Sequence, residues 1–282
     1  MPTPTAPVWA AVAADKATSL VDARLQLHYA AQFGTALGIS YLPHAADDSH
    51  TNLGWDAALG ALVSHGVPVG GGTVAVGVRP RDLALLVTRD GVVIGGVPLH
   101  ARTIAAARDQ LVGLLSAAGL DGAQYTLARH YELPPHPVAS GAAFDASDAF
   151  AFGELGRWFG NAALALGRVA REVKGASDVR VWPHHFDIAT LVTYAGGKST
   201  GAGLEPGDSY YAEPYFYVNA HPQPSVDGLT ASLAGGGTWH THEWIGAVLP
   251  GSRVVGDSAA QEAQVSAYLT SALDACRVLI GA

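Results

Sequence analysis

Cysteine is almost absent from this chain: Cys276 is the only one in 282 residues. A single thiol excludes an intramolecular disulfide and any metal site built from several cysteines. Because Cys276 falls in an apolar pattern of helical period, we predict that it is a buried, structural thiol. Any metal site in this chain would therefore use histidine and carboxylate ligands.

Positive charge is scarce as well, since 16 Lys and Arg face 24 Asp and Glu and the formal net charge is −8. No basic run or stripe occurs, which argues against a nucleic-acid or anionic-membrane partner. The chain lacks an uninterrupted apolar run of ~20 residues, so no membrane span is predicted. It also lacks a charged segment before an apolar run at its start, so we expect no signal peptide and a cytoplasmic, bacterial-type protein.

Familiar catalytic motifs are missing too. There is no G-x-S-x-G sequence for a nucleophilic serine, and no H-E-x-x-H sequence for zinc. Two triple-glycine segments, residues 70–72 and 235–237, are not followed by the lysine or helix start that a phosphate-binding loop requires. The chemistry must therefore be sought in local clusters of polar side chains.

Apolar residues are plentiful: 49% of residues are hydrophobic, enough for one large domain or two fused ones. Helical spacing of apolar residues occurs in four segments: residues 15–40, 103–118, 148–174 and 258–280. Strands are predicted between them: residues 53–63, 73–78, 83–88 and 92–97, then 186–194, 212–220, 229–233 and 238–249. Arg89, Asp90 and Gly91 are predicted to form a hairpin turn.

The order helix, about four strands, helix thus occurs twice. We predict an α+β fold: an antiparallel sheet with helices packed on one face, built as two similar helix–four-strand–helix halves. The predicted boundaries are 1–131 for the first half, 132–147 for a connector and 148–282 for the second half, in one compact unit. The alternative is that the apparent duplication is only the general pattern of α+β proteins.

Two short segments, residues 182–187 and 239–244, concentrate histidine and acid near tryptophan. Histidine titrates near neutral pH and is the commonest metal ligand. Side chains two apart on a strand share a face, so each segment can present two ligands to one ion. The predicted ligands for a divalent zinc, iron or manganese ion are His185, Asp187, His240 and His242. The alternative is that these residues make only structural hydrogen bonds.

Two further sets of residues complete this predicted site. Glu243 and His184 are the predicted catalytic residues, which would move protons. Tyrosines alternate with apolar residues along the strand at 212–220, which suits the wall of a small-molecule pocket. The predicted substrate-binding residues are Tyr215, Tyr217, Asn219, His221 and Trp182. The alternative is a solvated sheet face with aromatic pairs between strands.

A weaker cluster lies in the first half of the chain, where His44, Asp47, Asp48 and His50 fall within seven residues. It is either a second, partial site or a solvated loop, and the sequence favours the loop. His130, Glu132 and His136 flank the start of the connector and are predicted to be surface residues.

Several segments resemble a bacterial family of unknown function, catalogued as domain of unknown function 5996. The similar segments are residues 25–37, 157–172, Phe186-Asp187-Ile188-Ala189, the alternating-tyrosine segment 215–224, and 243–250. Glycine and serine are common in that family where this chain has Pro183 to His185, and the His240 and His242 pair has no counterpart. The resemblance implies a shared fold and a shared pocket near Asp187 and the tyrosines, but no activity.

Two main functional hypotheses follow. The first is a metal-dependent enzyme that acts on a small polar substrate through the histidine and aspartate site. The second is a non-catalytic module that binds a small molecule in a pocket lined by aromatic and histidine side chains. A structural or interaction protein is the third hypothesis. The expected partner is a small-molecule ligand or substrate, with no nucleic acid and no membrane.

Overall fold

The computed structural model describes residues 8–282, which contain four α-helices and twelve β-strands. The chain divides into two compact units. The N-terminal unit comprises residues 20–156 and 180–186, and the C-terminal unit comprises residues 8–19, 157–179 and 187–282. The N-terminal unit thus extends past residue 131, where the sequence predicts the end of the first half. Within residues 8–282, no helix has the length and apolar character needed to cross a bilayer.

The N-terminal unit contains two helices and seven strands. Helix α1 (Val21–Tyr41) packs against β2 to β4, and α2 (Ile104–Ala117) packs against β5 and β6. The strands are β1 (Leu53–Asp56), β2 (Ala61–Ser64), β3 (Val67–Val69), β4 (Gly72–Arg79), β5 (Ala84–Arg89), β6 (Val92–Pro98) and β7 (Arg180–Val181). They pair antiparallel in the order β7-β1-β2-β4-β5-β6, with β3 also on β4.

The C-terminal unit pairs five strands, antiparallel, in the order β11-β12-β10-β9-β8. These are β8 (Ile188–Thr193), β9 (Ser199–Glu205), β10 (Tyr215–His221), β11 (Thr238–His240) and β12 (Gly246–Pro250). Helix α3 (Ala149–Glu172) contributes its residues from Arg157 onward, and α4 (Ser258–Leu279) packs against β9, β10 and β12. The Asp257 carboxylate caps α4 by accepting from Ala260 N at 2.9 Å, as its position predicts.

The α+β class, the antiparallel pairing and the four helices are confirmed, because each helix coincides with a segment of helical apolar period. The predicted turn at Arg89 to Gly91 also joins β5 and β6. Cys276 is buried in α4, as predicted. Each unit contains a helix, then strands, then a helix, whereas the similarity of the two halves stays a prediction.

One strand prediction in the C-terminal unit was wrong, and two others were right only in part. Residues 229–233 form no strand, and the predicted strand 238–249 is broken into β11 and β12 by a bend. The predicted strand 186–194 begins only at Ile188. Phe186 and Glu243 have φ of 76° and 66°, and this left-handed backbone conformation interrupts an extended strand. The extended backbone is therefore interrupted within both histidine segments. Their side chains do not alternate between two faces of a strand as the sequence predicts.

The sequence does not predict strand β9, because glycine is depleted in strands and β9 contains two glycines. The structure shows why one is required. A Cβ on Gly203 would lie 2.6 Å from the ring of Tyr217 on the neighbouring strand β10. Tyr217 thus lies across β9, and its hydroxyl reaches the beginning of the segment that leads into β8.

Candidate functional site

The four predicted metal ligands do not form a ligand group among residues 8–282. His185 lies in the turn after β7, within the N-terminal unit, whereas Asp187, His240 and His242 belong to the C-terminal unit. His240 Nε2 donates to the main-chain oxygen of His242 at 2.7 Å, so its Nδ1 accepts from the Tyr211 hydroxyl at 2.9 Å. Both nitrogens of His240 are therefore engaged, and the His242 side chain is 81% exposed.

Asp187 instead belongs to a hydrogen-bonded pair with Tyr217. The Tyr217 hydroxyl donates to Asp187 Oδ2 at 2.5 Å, and the Asp187 residue is only 7% exposed. Burial, and then the charge of Asp187, raise the pKa of Tyr217 well above its usual range, so the phenol stays a donor. Tyr215 makes a similar bond to Asp208 Oδ2 at 2.7 Å. These contacts lock β10 to the segments beside it.

Removing the Tyr217 hydroxyl tests this pair. We expect Tyr217→Phe to lower the free energy of unfolding by ~1.5–3 kcal/mol at neutral pH, because a buried carboxylate loses a charge-assisted bond. Urea denaturation measures the change. The matched control is Tyr210→Phe, in which an exposed tyrosine loses its bond of 2.8 Å to Glu243; this variant should stay within ~0.5 kcal/mol of the wild type. If both variants lost the same free energy of unfolding, the bond between Tyr217 and Asp187 would not be the stabilising contact that we infer.

The other predicted site residues of the C-terminal unit lie apart from this pair. Glu243 is exposed and accepts from Tyr210, beside a His240 ring that stacks on Trp244 at 4.3 Å. Asn219 and His221 lie in the last three residues of β10 and are exposed. Of the predicted substrate-binding set, only Tyr215 and Tyr217 take part in the tyrosine–aspartate contacts.

Within the N-terminal unit, three residues converge as metal ligands can. His44, Asp48 and His50 each offer one nitrogen or carboxylate oxygen, and these atoms all lie within 4.8 Å of one another. No other group of three or more histidine, cysteine or acidic side chains in residues 8–282 does so. The weaker cluster of the sequence lies in a loop, as we favoured, and three of its four residues are close enough to hold one ion.

The backbone of this loop explains the convergence. The loop joins α1 to β1, and Asp48 has the left-handed φ of 58° that lets the chain reverse. The turn is closed by bonds from Asp48 N to Ala45 O at 3.0 Å and from Thr51 N to Asp48 O at 2.9 Å. The reversal brings the two imidazoles edge to face, with ring centroids 5.1 Å apart.

His50 makes one weak hydrogen bond within the loop. Ala45 N donates to His50 Nδ1 at 3.3 Å, which is long for such a bond and therefore weak. In the neutral ring this contact leaves the proton on Nε2. An ion bound through Nδ1 would replace this long bond, whereas an ion bound through Nε2 would displace the proton.

A second segment holds the carboxylate of Asp48. His130 Nε2 lies 3.1 Å from Asp48 Oδ2, and the His130 ring meets Tyr131 edge to face at 5.4 Å. Hydrogen bonds from a second group commonly fix the orientation of a ligating carboxylate. His130 was predicted to be only a surface residue, because no sequence spacing relates it to a residue 82 positions earlier.

His184 and Trp182, two predicted site residues, lie close to this group. The His184 ring contacts Tyr131 and Trp182 edge to face, at 5.9 and 6.1 Å between centroids, and lies 4.4 Å from the His185 ring. Burial lowers the pKa of His184, the charge of His185 lowers it further, and the charge of Asp48 opposes the shift. His184 is therefore a neutral imidazole at neutral pH, within electrostatic range of Asp48.

The segment that carries His130 also lines an open depression in the protein surface, with a volume of about 410 Å³, which we call the cavity. Its lining residues are Leu127, Ala128, Arg129, Tyr131, Glu132 and Leu133. The Tyr131 hydroxyl donates to Gln32 Oε1 on α1 at 2.8 Å, which fixes one wall of the cavity. The arrangement combines a set of three possible metal ligands, a neutral imidazole and a nearby cavity in one unit.

Comparison of the chain with models of protein families, with curated proteins and with solved structures found no match. The resemblance to domain of unknown function 5996 therefore stays a prediction. The function is accordingly argued from the geometry and chemistry of the site.

Proposed function

We propose that this protein is a metal-dependent enzyme that acts on a small polar substrate, with a divalent ion held by His44, Asp48 and His50. The observation that carries the proposal is the convergence of three donor atoms within 4.8 Å. Two imidazoles and one carboxylate suit zinc, iron or manganese and leave coordination positions for water and substrate. The ligand set thus differs from the one predicted from the sequence, whereas the class of ligands is the same.

The surrounding residues support catalysis as well as binding. A divalent ion held here would supply Lewis acidity for an oxygen of the substrate or a bound water. His130 would keep the Asp48 carboxylate oriented through its contact of 3.1 Å. His184 would accept a proton, since burial keeps its imidazole neutral at neutral pH. We thus propose for His184 the catalytic role that the sequence predicts, at the proposed ion site of the N-terminal unit.

Metal uptake by protein purified without an affinity tag tests the proposal. We expect the wild type to bind one zinc or manganese ion per chain after dialysis, as measured by elemental analysis. The double variant His44→Ala/His50→Ala should lose at least ~100-fold in affinity, because it keeps only one of the three ligands. The matched control is His240→Ala/His242→Ala, which removes two imidazoles from the C-terminal unit and should bind metal as the wild type does.

Each outcome of this experiment is decisive. If only the control variant loses its metal, the ligands are those predicted from the sequence. If the wild type takes up no metal, both sites are excluded. Melting temperatures of all three proteins must agree within a few degrees, so that unfolding does not account for the loss. Turnover of simple ester, amide and phosphoester substrates then separates an enzyme from a binding module.

The second candidate function, a non-catalytic binding module, is favoured by the cavity at residues 127–133. Its volume of about 410 Å³ is large enough for a small molecule, although the depression is open and would leave part of that molecule exposed. Metal-dependent ligand binding without turnover of any of these substrates would support the module over the enzyme.

A further inference from the structure

Arg129 is the one cation among the residues that line the cavity. The Arg129 side chain lines the cavity, is exposed, and makes no hydrogen bond or ion pair with another described residue. Glu132 lines the same cavity, but it forms no salt bridge with Arg129. A guanidinium that is not engaged by the protein presents its donors to a ligand, and its planar fork matches a carboxylate or phosphate.

Arg129 is also close to the proposed ion site. It precedes His130, so the two Cα atoms are ~3.8 Å apart, and the His130 ring contacts Asp48. Burial raises the pKa of the Tyr131 hydroxyl. The charge of Arg129 lowers this pKa, and the charge of Asp48 raises it. The cation and the proposed ligand carboxylate therefore both lie within electrostatic range of one hydroxyl on the cavity wall.

We infer that the cavity at residues 127–133 binds the oxyanion of a small ligand, a carboxylate or a phosphate, with Arg129 as its charged contact. The inference rests on the proposed function in one respect, namely that this ligand is the substrate of the ion site. Glu132 opposes an anion and thereby limits its affinity. The substrate class is thus a small, oxyanion-bearing polar molecule.

Isothermal titration with two defined probes tests the inference. Malonate and inorganic phosphate distinguish a carboxylate from a phosphate, and malonamide is the uncharged control. Each probe is titrated into the full-length protein, both metal-free and zinc-loaded. We expect at least one anion to bind the wild type and malonamide to bind weakly or not at all.

Three variants determine the outcome. Arg129→Gln should weaken anion binding roughly tenfold or more, because a charge-assisted bond is lost. Glu132→Gln should strengthen it a few-fold, since a like charge is removed. The control Arg81→Gln removes an exposed arginine of the same unit that does not line the cavity, and it should leave the affinity unchanged.

The results separate the inference from the proposed function. Anion affinity that is equal in the wild type and in Arg129→Gln overturns the inference, even where zinc uptake supports the ion site. Arg129-dependent anion binding by a protein that takes up no metal supports the anion site and removes the proposed metal function. Binding of malonamide as tight as that of malonate would also overturn the inference.

Discussion

Replacing Gly38 by alanine is expected to destabilise the N-terminal unit and to weaken metal binding at His44, Asp48 and His50. Gly38 lies near the end of α1, where the loop of the ion site passes closely. A Cβ at this position would lie 2.1 Å from the carbonyl oxygen of His50 and 3.2 Å from the Cα of Thr51. Backbone atoms cannot rotate away as a flexible side chain can, so the loop itself must move.

The expected cost of this displacement is about 1–3 kcal/mol or more in the free energy of unfolding, as for other overpacked sites. We also expect the affinity for zinc to fall roughly tenfold or more, because the position of a ligand, His50, depends on the shifted backbone. Urea denaturation and competition with a zinc chelator measure the two effects.

Gly113→Ala is the matched control for this prediction. Gly113 lies in α2 of the same unit, and a Cβ there would meet no other atom within 4 Å. Alanine should therefore stabilise the helix by roughly 0.5–1 kcal/mol and leave zinc affinity unchanged. If the Gly38→Ala variant were as stable as Gly113→Ala, this result would contradict the close approach between α1 and the loop.

The stability of the N-terminal unit should also fall as the pH drops from 6.5 to 4, because of His28. The His28 residue is 4% exposed on α1, its ring stacks on Phe186 at 4.6 Å, and Nε2 donates to the Pro183 carbonyl at 2.8 Å. Burial lowers the pKa of His28 to about 4, and the charge of Arg24 adds to this effect, whereas the bond to Pro183 opposes it. The folded N-terminal unit is therefore more stable with a neutral His28 than with a protonated one.

The direction of the effect follows from the two pKa values. His28 has a pKa of about 4 in the folded state and 6.5 as its usual value. The unfolded chain thus binds the proton more tightly, and the contribution of this residue is complete above pH 6.5 and lost as the pH falls towards 4. One pKa unit corresponds to about 1.4 kcal/mol, so the loss is about 3 kcal/mol.

A comparison of variants isolates this contribution from other titrating groups. We expect the wild type to be more stable than His28→Gln at pH 7.5, and this difference should shrink by about 3 kcal/mol by pH 4. A constant difference for His28→Gln would show that the ring does not become charged on unfolding.

Local sequence patterns were sufficient for most of the fold. The apolar spacing of α1, α2, α3 and α4 identified every α-helix of residues 8–282. Helix α1 differs from a helix with one buried stripe, because every residue from Gln26 to Gly38 is buried. The hairpin at Arg89 to Gly91 was likewise visible from its turn residues. Strand β9 was missed, since its glycines are explained only by the ring of Tyr217 on another strand.

The candidate site was much less predictable. The sequence showed where histidines gather, but the expected sharing of faces failed at Phe186 and Glu243, whose left-handed backbone interrupts the strands. The cluster from His44 to His50 is recognisable because its members are close in sequence, and it lies in a loop as predicted. The contact between His130 and Asp48 could not be predicted from the sequence, because no local pattern relates the two positions.

The sequence alone determined that this chain forms an α+β protein with antiparallel strands, and that histidine and carboxylate side chains are its candidate metal ligands. Only the tertiary structure decided which of these groups meet. Periodicity reports which face of an element is buried, whereas the convergence of donor atoms depends on loop backbone angles and on contacts between distant segments. The reversal at Asp48, the close passage of Gly38 and the contact from His130 accompany the approach of three candidate ligand atoms to within 4.8 Å of one another.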